Sequence, residues 1–171
     1  HGRVLYAGTA SKLLFPALRI GWLVSPPALA PFVEDAKAVA DTGTATLEQL
    51  AFADFVSEGH LERHVRRSRL RHAARRAALV EALDRELGAR AEVRGANAGV
   101  HVLLRLPELA ARDVRRLREA CRARGVGVYP AAPFYARPPA RAELLLGYAA
   151  LREREIRTGV RRLREALDGL G

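Results

Sequence analysis

The chain has 171 residues, of which 49% are hydrophobic and 28% charged, a balance typical of a globular protein rather than a disordered one. No apolar run approaches the roughly 20 residues that a membrane-spanning helix needs, which argues against a helical membrane protein. The net charge of +10 keeps nucleic-acid binding open as a function, although charge alone does not decide it.

The first predicted elements are two short strands joined by a turn that carries a lysine. The pattern predicts strands over residues 3–7 and 19–24, with a turn of small residues over 8–11. Lys12 lies on this connection, and it is one of two lysines among 29 basic residues. A guanidinium stays protonated and is not nucleophilic, so a lysine retained here favours condensation with an aldehyde. The alternative is an ordinary surface lysine.

A phosphate site is predicted beside this lysine. Thr9 and Ser11 supply hydroxyl groups, and Arg19 supplies a guanidinium beyond the turn. Hydroxyls, backbone N–H groups and an arginine together are suited to holding a phosphate. An amine that condenses with aldehydes, next to such a site, suggests pyridoxal phosphate (PLP) as the cofactor.

Three helices are predicted next. Apolar residues at helical spacing predict a helix over residues 26–41. Thr46 and Gln49 are spaced as a capping box, which predicts a second helix that ends near residue 59 and turns Leu47 and Leu50 toward a core. A long helix is predicted over residues 61–87, ended by Gly88.

The long helix is rich in arginine between residues 60 and 76. One interpretation is a basic helix that lies along nucleic-acid phosphates. The other is a solvated helix, which the flanking acidic residues and the lack of interleaved aromatic residues favour. His60 and His64 are four residues apart, but no acidic or cysteine ligand accompanies them at a recognisable spacing. We therefore predict solvated histidines and no metal site.

From residue 91 the pattern alternates strands and helices. Strands are predicted over residues 91–95, 99–106, 126–130 and 143–149, with Pro107 ending the second of them. A helix is predicted over 109–124, and the last helix turns Ile156, Val160 and Leu163 inward. These elements predict a compact α/β unit of about 80 residues.

The one cysteine, Cys121, is predicted to be a small core residue of the helix over 109–124. A single cysteine forms no intramolecular disulfide and fits a reducing compartment, so we predict a cytoplasmic protein. The sequence contains no methionine and begins at His1, which we interpret as the C-terminal portion of a longer chain.

Residues 11–21 carry a family resemblance. The pattern Ser-Lys-x-x-x-Pro-x-Leu-Arg-x-Gly resembles the cofactor-lysine motif of fold-type-I PLP enzymes, the class I/II aminotransferases. Its spacing is similar to a branch that holds 2-aminoadipate-type aminotransferases and the MocR regulators, which join a GntR-type winged helix-turn-helix to an aminotransferase-like domain. Residues 45–55, 97–101 and 144–149 resemble MocR more than the free enzymes.

The resemblance implies an α/β fold, namely the C-terminal part of the fold-type-I aminotransferase fold. Residues 1–59 would be the remnant of the large PLP-binding domain. Residues 60–88 would form the long interdomain helix, and residues 89–171 the small C-terminal α/β domain.

The resemblance also implies site residues. Lys12 would be the catalytic lysine that bonds covalently to PLP, and Arg19 would pair with the cofactor phosphate. Ser11 and Thr9 would donate hydroxyl hydrogen bonds to that phosphate. In the family, the residues that hold the pyridine ring belong to a preceding segment, so none is assigned here.

One position departs from the enzymes. Leu145 stands where active aminotransferases carry the arginine that binds the substrate carboxylate, and leucine cannot pair with a carboxylate. Arg137 or Arg141 could replace it, although each fits a surface position, and the substrate-binding residues stay unknown. Further candidates for the cofactor cleft are His101, Tyr129 and Tyr135, for which ordinary packing is the alternative.

The predicted function is the effector-sensing, aminotransferase-like domain of a PLP-dependent MocR/GntR-family transcriptional regulator. The regulator would be a homodimer that responds to an amino acid, amine or aldehyde and binds operator DNA through an N-terminal domain absent from this chain. The alternative is a free PLP-dependent aminotransferase acting on an amino acid. A third possibility is a basic domain that binds nucleic acid directly. This portion alone is expected to be inactive.

Overall fold

A computed structural model describes residues 2–97 and 99–170. The chain divides into two compact units, residues 1–67 and 68–171, and the division falls within the helix α3 (His60–Leu87). The three-part division at residues 59 and 88 stays a prediction. Within the described residues, no helix is both long enough and apolar enough to cross a membrane.

The first unit begins with an antiparallel hairpin. Strand β1 (Tyr6–Thr9) pairs with β2 (Gly21–Val24), so that Thr9 lies opposite Gly21. Gly8 lies under the indole of Trp22, and a Cβ atom at residue 8 would overlap that ring. Strand β1 lies further toward the C-terminus than predicted, whereas β2 begins later than predicted and ends at the predicted residue. The connection between the strands holds Lys12.

Two helices follow the hairpin, α1 (Ala30–Asp41) and α2 (Thr46–Ser57). The predicted capping box is wrong, because Thr46 is already the first residue of α2 and its hydroxyl donates to the Thr44 carbonyl. The predicted core face of α2 is also wrong in this structure, since Leu47 is 77% exposed and Leu50 60% exposed. Of the described residues of this unit, only Ala10 is buried.

The second unit is built on a four-stranded antiparallel sheet. It contains β3 (Glu92–Arg94), β4 (His101–Ala110), β5 (Tyr129–Pro130) and β6 (Arg141–Gly147), in the order β3-β4-β6-β5. The C-terminal half of α3 packs on one face of the sheet with α4 (Val114–Ala123) and α5 (Glu153–Asp168). The α/β architecture is therefore as predicted.

Buried and more exposed residues alternate along β4, and the buried ones form the core on one face of the sheet. Val102, Leu104 and Leu106 of β4 are at most 2% exposed and face the helices. From α5, Ile156, Val160 and Leu163 complete the same cluster, as the helical spacing predicts. The core therefore lies between the sheet and its three helices.

Three predicted boundaries in this unit are wrong. Pro107 does not end β4, because the pairing with β6 shifts register between Leu106 and Ala110, and such an irregularity tolerates a residue without an N–H. The following helix begins at Val114, since Ala110 is still paired in the sheet. β5 is only two residues long because the Val126 N–H binds a carbonyl at the end of α4 instead.

Candidate functional site

Lys12 lies on a tight turn directly after β1. The Ala10 carbonyl accepts hydrogen bonds from the N–H groups of Leu13 and Leu14 at 3.0 and 2.9 Å, and the Ala10 N–H donates to the Ile20 carbonyl at 3.0 Å. Ala10 is fully buried, whereas Lys12 is exposed. Among the residues that the structure describes, none makes a hydrogen bond or ion pair with the Lys12 amine. The turn is therefore fixed by its backbone, and the amine is available for a ligand.

The two predicted hydroxyl donors differ in what they can do. The Thr9 hydroxyl donates to the Ile20 carbonyl at 3.2 Å and accepts from the Ser11 N–H at 3.1 Å. Its proton is therefore already used inside the hairpin, and Thr9 stabilises the turn in this structure. The Ser11 hydroxyl is half-buried and makes no hydrogen bond to any other described residue. Ser11 is thus the hydroxyl better placed to donate to a phosphate.

Arg19 has an unusual backbone conformation. It ends the 3-10 turn Pro16–Leu18 with a φ of 50°, in the left-handed region that a residue with a Cβ seldom occupies. Such strain persists only where the surrounding structure imposes it, and it is concentrated at functional positions. The Arg19 side chain is exposed and has no hydrogen-bond or ionic partner within the described part of the chain.

One histidine that was predicted to be solvated contacts the Lys12 turn. His64 of α3 is half-buried, and its Nε2 lies 2.9 Å from the Leu13 carbonyl oxygen. A carbonyl only accepts, so this nitrogen must carry a proton. The prediction of a solvated histidine is therefore wrong for His64, which fastens the residue next to Lys12. No local signal could reveal this contact, because the two residues are 51 positions apart in sequence.

The remaining candidates lie on the sheet face that does not carry the helices. Tyr135 donates from its hydroxyl to the Glu143 carboxylate at 2.5 Å, and this bond raises the pKa of the Tyr135 phenol. His101 lies against Gly147, where an added Cβ would come within 3.3 Å of the imidazole. Leu145 is half-buried in the strand between them, and Tyr129 is 69% exposed. The same face carries Arg94 and Arg105, whose guanidinium groups already pair with the carboxylates of Glu92 and Glu143.

The two arginines considered as replacements for the missing carboxylate ligand, Arg137 and Arg141, are both exposed. Arg141 is the first residue of β6 and lines a cavity beside α4. In the described part of the chain, no group of three or more His, Cys, Asp or Glu side chains is arranged to hold a metal ion.

The residues around Lys12 fit a cofactor that carries an aldehyde and a phosphate. The amine can condense with the aldehyde, and the Ser11 hydroxyl and the Arg19 guanidinium are the donors that a phosphate prefers. None of the three is engaged by another described residue. The hairpin thus provides binding groups of the types that such a cofactor requires.

Residues 1–163 match the family model for aminotransferase class I and II. The chain belongs to this family. It is 36% identical over 97% of its length to the uncharacterized HTH-type transcriptional regulator YhdI of Bacillus subtilis, and 35% identical over 96% to the probable rhizopine catabolism regulatory protein MocR of Rhizobium meliloti. It spans 35% and 33% of those two proteins.

Solved structures agree with this assignment. The crystal structure of the multiple substrate aminotransferase from Thermococcus profundus matches 99% of the chain with a TM-score of 0.88 and 33% identity. The chain covers 41% of that protein. The predicted fold class, the C-terminal part of the fold-type-I aminotransferase fold, is confirmed, as is the resemblance inferred from residues 11–21.

Proposed function

We propose that the chain is the C-terminal portion of the effector-sensing, aminotransferase-like domain of a PLP-dependent MocR/GntR-type transcriptional regulator. The observation that carries the proposal is the similarity to two named regulators over 97% and 96% of the chain. The amine of Lys12, exposed on a backbone-fixed turn and unpaired with any described residue, supports the cofactor. Leu145 in place of an arginine favours sensing over transamination.

When bound, PLP supplies an aldehyde that reacts reversibly with amines. Lys12 would hold the cofactor by a covalent bond between its deprotonated amine and this aldehyde, and it would carry a proton again once released. Arg19 and Ser11 hold the phosphate by charge and by hydrogen bonding. Thr9 and His64 act on the turn itself, since both bind its backbone or the backbone opposite it.

In this proposal the intact regulator is a cytoplasmic homodimer. An amino acid or amine would compete with Lys12 for the aldehyde of PLP, whereas an aldehyde effector would compete with PLP for the Lys12 amine. The resulting domain movement changes how the dimer presents its N-terminal DNA-binding domains to operator DNA.

A free PLP-dependent aminotransferase acting on an amino acid is the second candidate. It is favoured by the similarity to the Thermococcus profundus aminotransferase over nearly the whole chain. The residues that precede His1 in the intact protein separate the two: a winged helix-turn-helix supports the regulator, and its absence supports the enzyme.

The cofactor position is tested by borohydride reduction of the intact protein with PLP, followed by peptide mass spectrometry. The mass of reduced PLP is expected on Lys12 and is expected to be missing in Lys12→Ala. Lys37→Ala is the matched control, because Lys37 is the other lysine and already pairs with Asp41. Labelling that persists in Lys12→Ala would contradict the assignment of Lys12.

The regulator is tested by measuring operator binding of the intact protein with and without a candidate amine. An effector-dependent change in affinity that is lost in Lys12→Ala is expected. Steady transamination of an amino acid without any effect on DNA binding would instead establish the enzyme.

A further inference from the structure

A cavity of about 300 Å³ opens beside the N-terminal half of α4, within the second unit. Its walls are apolar and come from three parts of the fold: Val114 of α4, Pro130 of β5, and Ala132 and Pro139 of the loop that precedes β6. The volume is within the range of about 300–1,000 Å³ typical of small-molecule sites. The cavity is far in sequence from Lys12 and does not involve the first unit.

Three arginines border the same cavity: Arg115 and Arg118 of α4 and Arg141 of β6. Arg115 and Arg118 are three positions apart on one helix, which places them on the same face. All three are exposed, and none of their guanidinium groups makes a hydrogen bond or ion pair with another residue in the ranges 2–97 and 99–170. Other arginines of the chain, such as Arg90 and Arg164, do pair with carboxylates.

One carboxylate also borders the cavity, but it is already engaged. Glu143 is 7% exposed, accepts the Tyr135 hydroxyl at 2.5 Å, and lies 3.8 Å from Arg105 Nε. It forms no ion pair with the three bordering arginines. Their positive charge therefore remains uncompensated at the opening of an apolar cavity.

We propose that this cavity binds a small organic carboxylate with an aromatic or branched aliphatic body. A guanidinium pairs with a carboxylate through two parallel hydrogen bonds, which matches the three arginines. The apolar walls favour a ligand body that leaves water. Inorganic phosphate would pair with the arginines but would not bury apolar surface against the walls. A neutral aromatic compound would pack against the walls but would leave the arginines unpaired. Charge complementarity together with the apolar walls selects this occupant.

The proposal is tested by isothermal titration calorimetry of the chain with 3-phenylpropanoate. Saturable binding at one site is expected, and the double variant Arg115→Gln/Arg118→Gln is expected to weaken it at least about tenfold. Arg141→Gln is an independent variant on another element and is expected to weaken binding in the same direction. Arg116→Gln is the matched control, since Arg116 is an exposed arginine of the same helix outside the cavity lining.

Two further ligands separate the site from a merely basic surface. The neutral analogue 3-phenylpropan-1-ol and inorganic phosphate are each expected to bind about tenfold more weakly than the carboxylate, or not at all. Equal binding of phosphate, an equal loss in Arg116→Gln, or no binding of 3-phenylpropanoate would each overturn the proposal. Far-UV circular dichroism of every variant establishes that it is folded.

Discussion

Leu163→Ala and Leu50→Ala form a matched pair that tests where the stability of this chain resides. Both replace a helical leucine by the residue with the highest helix propensity, so helix preference opposes the destabilisation equally in the two variants. They differ in environment, because Leu163 is 1% exposed within the core of the second unit and Leu50 is 60% exposed on α2.

Truncating a fully buried leucine removes its transfer free energy and leaves a cavity, at a total cost of about 2–5 kcal/mol. That is a large share of the roughly 5–15 kcal/mol that stabilises an ordinary domain. At about 4 °C per kcal/mol, the melting temperature of the second unit is expected to fall by at least about 8 °C in Leu163→Ala. Leu50→Ala is expected to change the free energy of unfolding by less than about 0.5 kcal/mol.

Hydrogen exchange read by mass spectrometry gives the measurement for each segment separately, so it does not require the two units to unfold together. Leu163→Ala should speed exchange across β4, β6 and α5, whereas Leu50→Ala should leave every peptide unchanged. A comparable loss of protection in both variants would show that the face of α2 is buried in solution, and it would refute the reasoning from exposure.

Three further predictions concern single side chains. Burial raises the pKa of the Cys121 thiol from 9.0 to about 11. Alkylation of this thiol at pH 8 should therefore be at least about a hundredfold slower in the folded chain than in urea, and equal rates would contradict this. Tyr148→Phe removes a 2.8 Å hydrogen bond to the Gly99 carbonyl and should lower the free energy of unfolding by about 1–2 kcal/mol in a urea titration, whereas an unchanged midpoint would count against it. The hydrogen bond to Glu143 raises the pKa of Tyr135 above 10.0, so the stabilisation of the folded chain by this bond is present below pH 10 and declines as the pH rises further. The difference in urea midpoint between the parent and Tyr135→Phe should therefore shrink above pH 10. A difference that stays constant with pH would argue for a purely steric role.

The second unit could be predicted well from sequence because its core closes within its own residues. Val102, Leu104 and Leu106 alternate along β4, and Ile156 and Leu163 recur at helical spacing along α5, so periodicity alone identified the buried faces. The errors there were at boundaries, where pairing across the sheet, as at Pro107, decides the end of an element and local propensity does not.

The first unit was predicted less well for a different reason. Leu47 and Leu50 have the spacing of a core face, but spacing shows only that a face is apolar and does not supply the element that covers it. Thr46 illustrates the same limit at a helix terminus. Its hydroxyl binds a carbonyl within its own turn, so the residue types of a capping box were present without its geometry.

At the candidate site, some features depend on residues close together in sequence and others on contacts between distant residues. The turn that presents Lys12 and the nearby position of Arg19 follow from residues close together in sequence, and a motif can therefore identify them. The bond from His64 to the Leu13 carbonyl joins residues 51 positions apart, and only the fold brings them together. The Thr9 hydroxyl is engaged and the Ser11 hydroxyl has no partner within residues 2–97 and 99–170, a difference that hydrogen bonds reveal and residue type does not.

The contact between Gly8 and Trp22 gives the hairpin an intrinsic optical reporter. The chain contains a single tryptophan, whose indole lies over a residue four positions before Lys12. Its emission spectrum and quenching consequently describe this corner of the protein alone, without an attached dye.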